Sequence, residues 1–153
     1  MGYIEDMRAL VGHRLLMISV GVVLIFDQQG RLLLGRRADD GEWGAVGGIM
    51  EPGETIEETA RRETREEVGL DLGELAFLGV GSGPEYAHTY PNGDQVISVC
   101  VIYSARYTGA PIIPDPAEVL EAAFFAPDAL PPNHRLSVDR YLRMAEKLDR
   151  QVS

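Results

Sequence analysis

Gly47-Gly48-Ile49-Met50-Glu51-Pro52-Gly53-Glu54-Thr55 runs into a Glu- and Arg-rich stretch, Ile56 to Val68, that closes at Gly69-Leu70. The glycines and Pro52 read as a turn-rich loop, and the stretch after it predicts a helix. Thr55 and Glu58 have the spacing of a capping box, in which the threonine hydroxyl takes the amide three residues on and the glutamate reaches back to the cap amide. Gly69 is the residue type that most easily adopts the left-handed conformation ending a helix. About thirteen residues lie between these signals, an ordinary helix length.

With successive side chains 100° apart and Glu63 as zero, Glu67 falls at about 40° and Glu66 at about −60°, so three carboxylates share one side. Like charges this close raise one another's pKa unless a cation sits among them. Arg61 and Arg65 point about 160° and 200° from Glu63, toward the opposite side, where with Glu58 they predict a solvated, ion-paired face. Only Arg62 borders the acidic cluster. One guanidinium does not neutralise Glu54, Glu63, Glu66 and Glu67, so Mg2+ or Mn2+, held by oxygen ligands and retained waters, is the better reading of the partner. A surface helix that is only solvated is the plainer alternative for a Glu-rich pattern taken alone.

Order and spacing then narrow the choice. A Gly, five residues, a Glu, seven residues, Arg-Glu, one apolar position, any residue, Glu-Glu, any residue, Gly and an apolar residue resemble the signature of the Nudix hydrolases, carried here by Gly48, Glu54, Arg62, Glu63, Thr64, Glu66, Glu67, Gly69 and Leu70. Thr64 departs from the family's usual aliphatic residue, at a position that packs the helix rather than binding metal. The resemblance implies the Nudix fold, an α/β/α sandwich of the α+β type with a mixed β-sheet between helical layers, over roughly residues 18–130. It implies hydrolysis of a nucleoside diphosphate linked to another group, with Mg2+ or Mn2+ offsetting the phosphate charge. By the same resemblance Glu63 and Glu67 are the main metal ligands, the Gly48 carbonyl completes the shell, and Glu66 is a ligand or the base. Arg62 and Glu54 orient the cluster as a hydrogen-bonded pair. Some family members add a glutamate from the loop before the last strand; Glu118 is the candidate and Glu121 the reserve.

Working outward, residues 3–11 space apolar groups as a helix does and predict a short N-terminal helix packed on the domain. Residues 18–26 and 31–37 flank an Asp27-to-Gly30 turn and predict a hairpin. Alternation along the second strand sends Arg36 and Arg37 to opposite faces, one toward substrate phosphates and one into solvent. Residues 75–81, 96–107 and 122–126 read as further strands and 136–149 as a C-terminal helix. Between them residues 82–94 form a polar-aromatic loop long enough to be functional or mobile. Tyr86 and Tyr90 in that loop are candidates to stack on a base. His88 is a weaker candidate, since a lone loop histidine is more often solvated.

Composition bounds the rest. The 153 residues predict one domain, with 45% hydrophobic and 25% charged residues as in ordinary globular proteins. A formal net charge of −10 argues against a nucleic-acid polymer or an anionic membrane as partner and leaves a small nucleotide bridged by metal. Cys100 is the single cysteine and reads as a small core residue, which with no evident export signal fits the cytoplasm. A homodimer stays compatible with these features. The substrate candidates are ADP-ribose, a diadenosine polyphosphate or a nucleoside triphosphate. Family cues past the box conflict, since Pro84 suggests the first and Tyr86 the second. The competing class is a catalytically silent nucleotide sensor on the same fold, against which the intact box weighs.

Overall fold

The computed structural model describes residues 2–152. Along the chain, α1 (Tyr3–Val11) precedes β1 (Leu16–Phe26), β2 (Leu32–Arg37), β3 (Trp43–Gly44) and β4 (Val46–Ile49). Then follow α2 (Ile56–Val68), β5 (Ala76–Gly81), β6 (Ala87–Thr89), β7 (Gln95–Arg106), β8 (Val119–Phe125) and α3 (Leu136–Val152).

Two long strands carry the sheet. β1 and β7 run parallel in unbroken register from Leu16 opposite Val96 to Phe26 opposite Arg106. The other pairings between these strands are antiparallel, which makes the sheet mixed. Each long strand divides its outer edge between two partners: β1 pairs β4 over Val20 to Val23 and β2 at Phe26, while β7 pairs β6 near Ile97 and β5 beyond Cys100. The sheet therefore curls, and a cleft opens on the side where its edges diverge.

Strand alternation explains the two helical layers. Val22, Leu24, Leu32 and Leu34 point to one face, where Trp43, Ile102, Val138 and Tyr141 complete a core under α3. Val23, Ile25 and Leu33 point to the other, where Ala60, Val68 and Leu70 close the layer under α2. The run Leu32-Leu33-Leu34 is buried throughout because both faces are covered. Full burial of each such leucine contributes about 1.5–3 kcal/mol.

Several boundaries differ from the sequence reading. The stretch before the box is not plain loop: Trp43–Gly44 and Val46–Ile49 are short strands on β2 and β1. The segment 82–94 has structure of its own, a 3-10 turn at Pro84–Tyr86 and β6, which pairs β7 through a tight turn closed by Tyr90 N–H on Asp94 O at 2.8 Å. The last strand begins at Val119, earlier than 122, because Glu121 and Val119 still pair with Arg36 and Arg37 of β2 across a one-residue slip. α1 buries no residue. Polar ties hold it instead: Tyr3 N–H on Glu51 and Arg8 on the carbonyls of Gly12, Arg14 and Gln95.

Candidate active site

α2 is capped as its sequence predicts. Thr55 Oγ1 accepts from Glu58 N at 3.1 Å, and Gly69 ends the helix at φ 70°. The helix lies close on β1 because Gly21 has no Cβ: one there would stand 2.9 Å from the Ile56 carbonyl and 3.2 Å from Ala60 N. Thr64 is fully buried and donates its hydroxyl to Ala60 O at 2.7 Å, so the polar group at a usually aliphatic position is satisfied within its own helix. On the outer side Arg65 pairs with Asp71 at 2.6 Å. Arg61 departs from a purely solvated role and donates to Leu72 O at 2.8 Å.

Arg62 organises the inner side. Its Nε and Nη2 grip the Glu54 carboxylate at 2.6 and 3.1 Å, Nη2 also reaches Ile49 O at 3.0 Å, and Nη1 donates to Glu63 at 3.0 Å and Glu66 at 3.1 Å. The Arg62 hydrogen bond holds the Glu54 carboxyl down at about 2 against burial, with help from Glu51 N–H and Thr59. Arg62 is raised in turn, chiefly by Glu54.

Glu67 is 2% exposed, and one ligand oxygen each from Glu63, Glu67 and Glu118 fall within 4.8 Å of one another. Burial pushes the Glu67 carboxyl well above the usual range; Arg37 works against this, while Glu63 and Glu118 add to it. Glu118 is raised by its own burial and then by Glu63. Such a set is short of positive charge, which suits a divalent cation and its preference for carboxylate and carbonyl oxygens. Gly48 supports that fit, because a Cβ there would fall inside the Glu63 carboxyl group, so only glycine leaves space for Glu63 beside the backbone of β4. Glu66 is exposed and held by Arg62, outside the converging three.

Glu118 comes from far along the chain. Its loop is tied to the end of α2 by Ile113 N–H on Val68 O at 2.9 Å and Asp115 N–H on Glu67 O at 3.1 Å, and Ala38 N–H on Glu118 O joins it to the end of β2. Glu121 lies on β8 and pairs with Arg36 at 3.2 Å. Arg37 points the other way, its Nη1 3.3 Å from Glu67 Oε1. The two arginines thus part as alternation predicts, with Arg37 on the cleft.

The cleft holds about 860 Å³ and runs from these carboxylates across the face of β1 and β7 to α3. Its far end brings together residues that the sequence reading left out, among them Arg135, Ser137, Arg140 and Tyr141 of the α3 region. Their signal was Tyr141 in the apolar stripe of a helix, with Ser137 and Arg140 at its margin. Tyr86 is 7% exposed and packs in the core, the Arg140 guanidinium lying 4.8 Å over its ring. His88 and Tyr90 line the cleft with their rings edge to face at 4.6 Å.

These features define an α+β protein with an acidic centre on the inner side of a capped helix. A family model described as the NUDIX domain matches residues 15–145, and the chain belongs to the Nudix hydrolase family, whose members act on phosphoric anhydride bonds. Curated relatives include the NAD-capped RNA hydrolase NudC of Stutzerimonas stutzeri strain A1501, 32% identical over 128 residues, or 82% of this chain and 43% of the relative. The NudC of Chromobacterium violaceum is 35% identical over 112 residues, 71% of this chain and 38% of the relative. The chain spans less than half the length of these relatives. Among solved structures, a MutT NUDIX hydrolase from Burkholderia pseudomallei superposes with a TM-score of 0.71 at 25% identity, covering 84% of this chain and 98% of its own. A NUDIX hydrolase from Nitrosomonas europaea gives 0.68 at 23% identity, covering 86% and 72%.

Proposed function

We propose that the chain is a divalent-metal-dependent pyrophosphohydrolase that cleaves the diphosphate linkage of a small nucleoside diphosphate-X compound. The observation that carries this reading is the meeting of Glu63, Glu67 and Glu118 at one end of a nucleotide-sized cleft. Glu63 and Glu67, with the carbonyl of Gly48, would hold Mg2+ or Mn2+. The ion would offset phosphate charge and polarise a phosphoryl oxygen. Arg62 aims Glu63 and Glu66 through its hydrogen bonds to them and is itself anchored on Glu54. Glu118 takes the proton of the attacking water, a role that its raised carboxyl suits better than that of Glu66, which Arg62 engages. Arg37 faces the phosphates, and Tyr90 and His88 line the route to the nucleoside end.

The name of the relatives adds NAD to ADP-ribose, diadenosine polyphosphates and nucleoside triphosphates as candidate substrates, since NAD is itself a nucleoside diphosphate-X compound. The net charge of −10 favours the small molecule over the body of an RNA. The lone, buried Cys100 supports a reducing, cytoplasmic setting. A panel of these compounds with Mg2+ or Mn2+, followed by product chromatography, tests the reading. Metal-dependent cleavage of one of them is expected. Silence across the panel with a ligand still bound by calorimetry would favour a nucleotide sensor instead.

A further inference from the structure

Arg37 is tied to the acidic cluster and yet is incompletely used. β2 and β8 slip register beside it, Arg36 lying opposite Glu121 and Arg37 opposite Val119, which leaves Leu120 as an extra residue on β8. Bulges of this kind re-aim side chains next to functional sites. Here the slip turns Val119 inward over Gly35 and delivers Glu118 to the end of β2. Arg62 is committed to Glu54, Glu63, Glu66 and the Ile49 carbonyl, so Arg37 is the cation that touches Glu67 among the described residues. Its Nε is nevertheless buried with no hydrogen-bond partner and stands 4.0 Å from Asp39 Oδ1. A buried N–H without a partner is a standing cost that calls for an explanation.

We infer that Arg37 is a placeholder cation, which balances Glu67 while no divalent ion is present and turns its guanidinium to a substrate phosphate once the ion is bound. The inference rests on the reading above that the cluster takes a divalent ion. A doubly charged ion among Glu63, Glu67 and Glu118 would share Glu67 with the guanidinium, and like charges repel strongly where solvent is scarce. In the free protein, therefore, Arg37 and the ion compete. A phosphate relieves the competition, because its oxygens match the guanidinium fork and offer Nε an acceptor. By linkage, Arg37 weakens ion binding to the free protein and couples ion and phosphate favourably in the complex. The ion is then held firmly only when there is a diphosphate to act on.

Calorimetric titration of Mn2+ into the chelator-stripped full chain tests this, with and without saturating α,β-methylene adenosine diphosphate and with correction for Mn2+ bound by that analogue alone. For the wild type the analogue should tighten Mn2+ binding about tenfold, whereas Arg37→Gln should bind Mn2+ about fivefold tighter without the analogue and gain less than about twofold from it. Arg37→Lys keeps the charge without the fork, so its free-state affinity should match the wild type while the gain falls to about threefold. Unchanged or weaker Mn2+ binding by free Arg37→Gln, or a full analogue gain in that variant, overturns the inference. Should Arg37→Gln melt early, a full gain in Arg37→Lys overturns it equally. Absence of Mn2+ binding by the wild type is a different failure, one that removes the metal reading itself and the inference with it.

Discussion

At the acidic end of the cleft, Arg62 holds three carboxylates and a carbonyl at 2.6 to 3.1 Å, and the loop carrying Glu118 is bonded to two separate elements. At the far end, Arg140 lies over Tyr86 and donates to Glu85 O at 3.1 Å, and His88 and Leu136 are exposed. The first end is built from one contiguous stretch plus Glu118. The second is assembled from β1, β7, the β6 turn and α3. The contrast separates a centre held by many polar partners from an end assembled by packing of distant segments, which the proposed function assigns to the nucleoside.

Substitutions can break this division at either end. Glu67→Gln should cost the largest effect, about a thousandfold in turnover, with the melting temperature nearly unchanged, because a neutral amide replaces a carboxyl that burial already penalises in the ion-free protein. Steady-state kinetics beside a melting curve checks both halves; near-normal turnover would sink the assignment. Next, Glu118→Gln should lower turnover about a hundredfold whereas Glu121→Gln should change it less than about twofold, since only the former reaches the carboxylate cluster. Equal losses would contradict the choice of Glu118 over Glu121.

At the other end, Arg140→Ala should raise KM about tenfold and leave kcat within about twofold, the signature of binding lost equally from ground and transition states. A fall in kcat alone would erase the distinction between the ends. The smallest effect concerns pH. Glu54 is held at about 2 when folded, below the ordinary glutamate value near 4.5, so its contribution to stability is fully present above about pH 4.5 and is lost as pH falls toward 2. Denaturant midpoints measured from pH 6 to 2.5 should fall over that window, and Glu54→Gln should flatten the decline.

Legibility in the sequence followed the same division. The ends of α2, its inner carboxylates and the parting of Arg36 from Arg37 are local matters of helical angle, capping and strand alternation, which neighbouring residues determine. The convergence of Glu118 was reached by resemblance, and what seats it, backbone bonds from Ile113 and Asp115 to the last carbonyls of α2, is a contact between segments far apart in the chain. β4 escaped notice because Gly47 and Gly48 read as loop, whereas glycine there permits close approach of β1 and of the Glu63 side chain of α2. Tyr86 is a candidate to stack on a base because it is an aromatic residue in a polar loop. It lines the cleft, yet most of its side chain is buried, its hydroxyl beside Gly81 of β5 and its ring under Arg140 of α3, contacts between segments far apart in the chain.

On the proposed function, hydrolysis depends on a divalent ion held by the α2 carboxylates. The most direct test follows product release from NAD or ADP-ribose by chelator-stripped protein as Mg2+ is added back. Cleavage at the diphosphate should be absent in chelator, appear with the ion in the wild type and stay near background in Glu67→Gln at the same ion concentration. Cleavage that proceeds in chelator, or that Glu67→Gln supports equally, would contradict the claim.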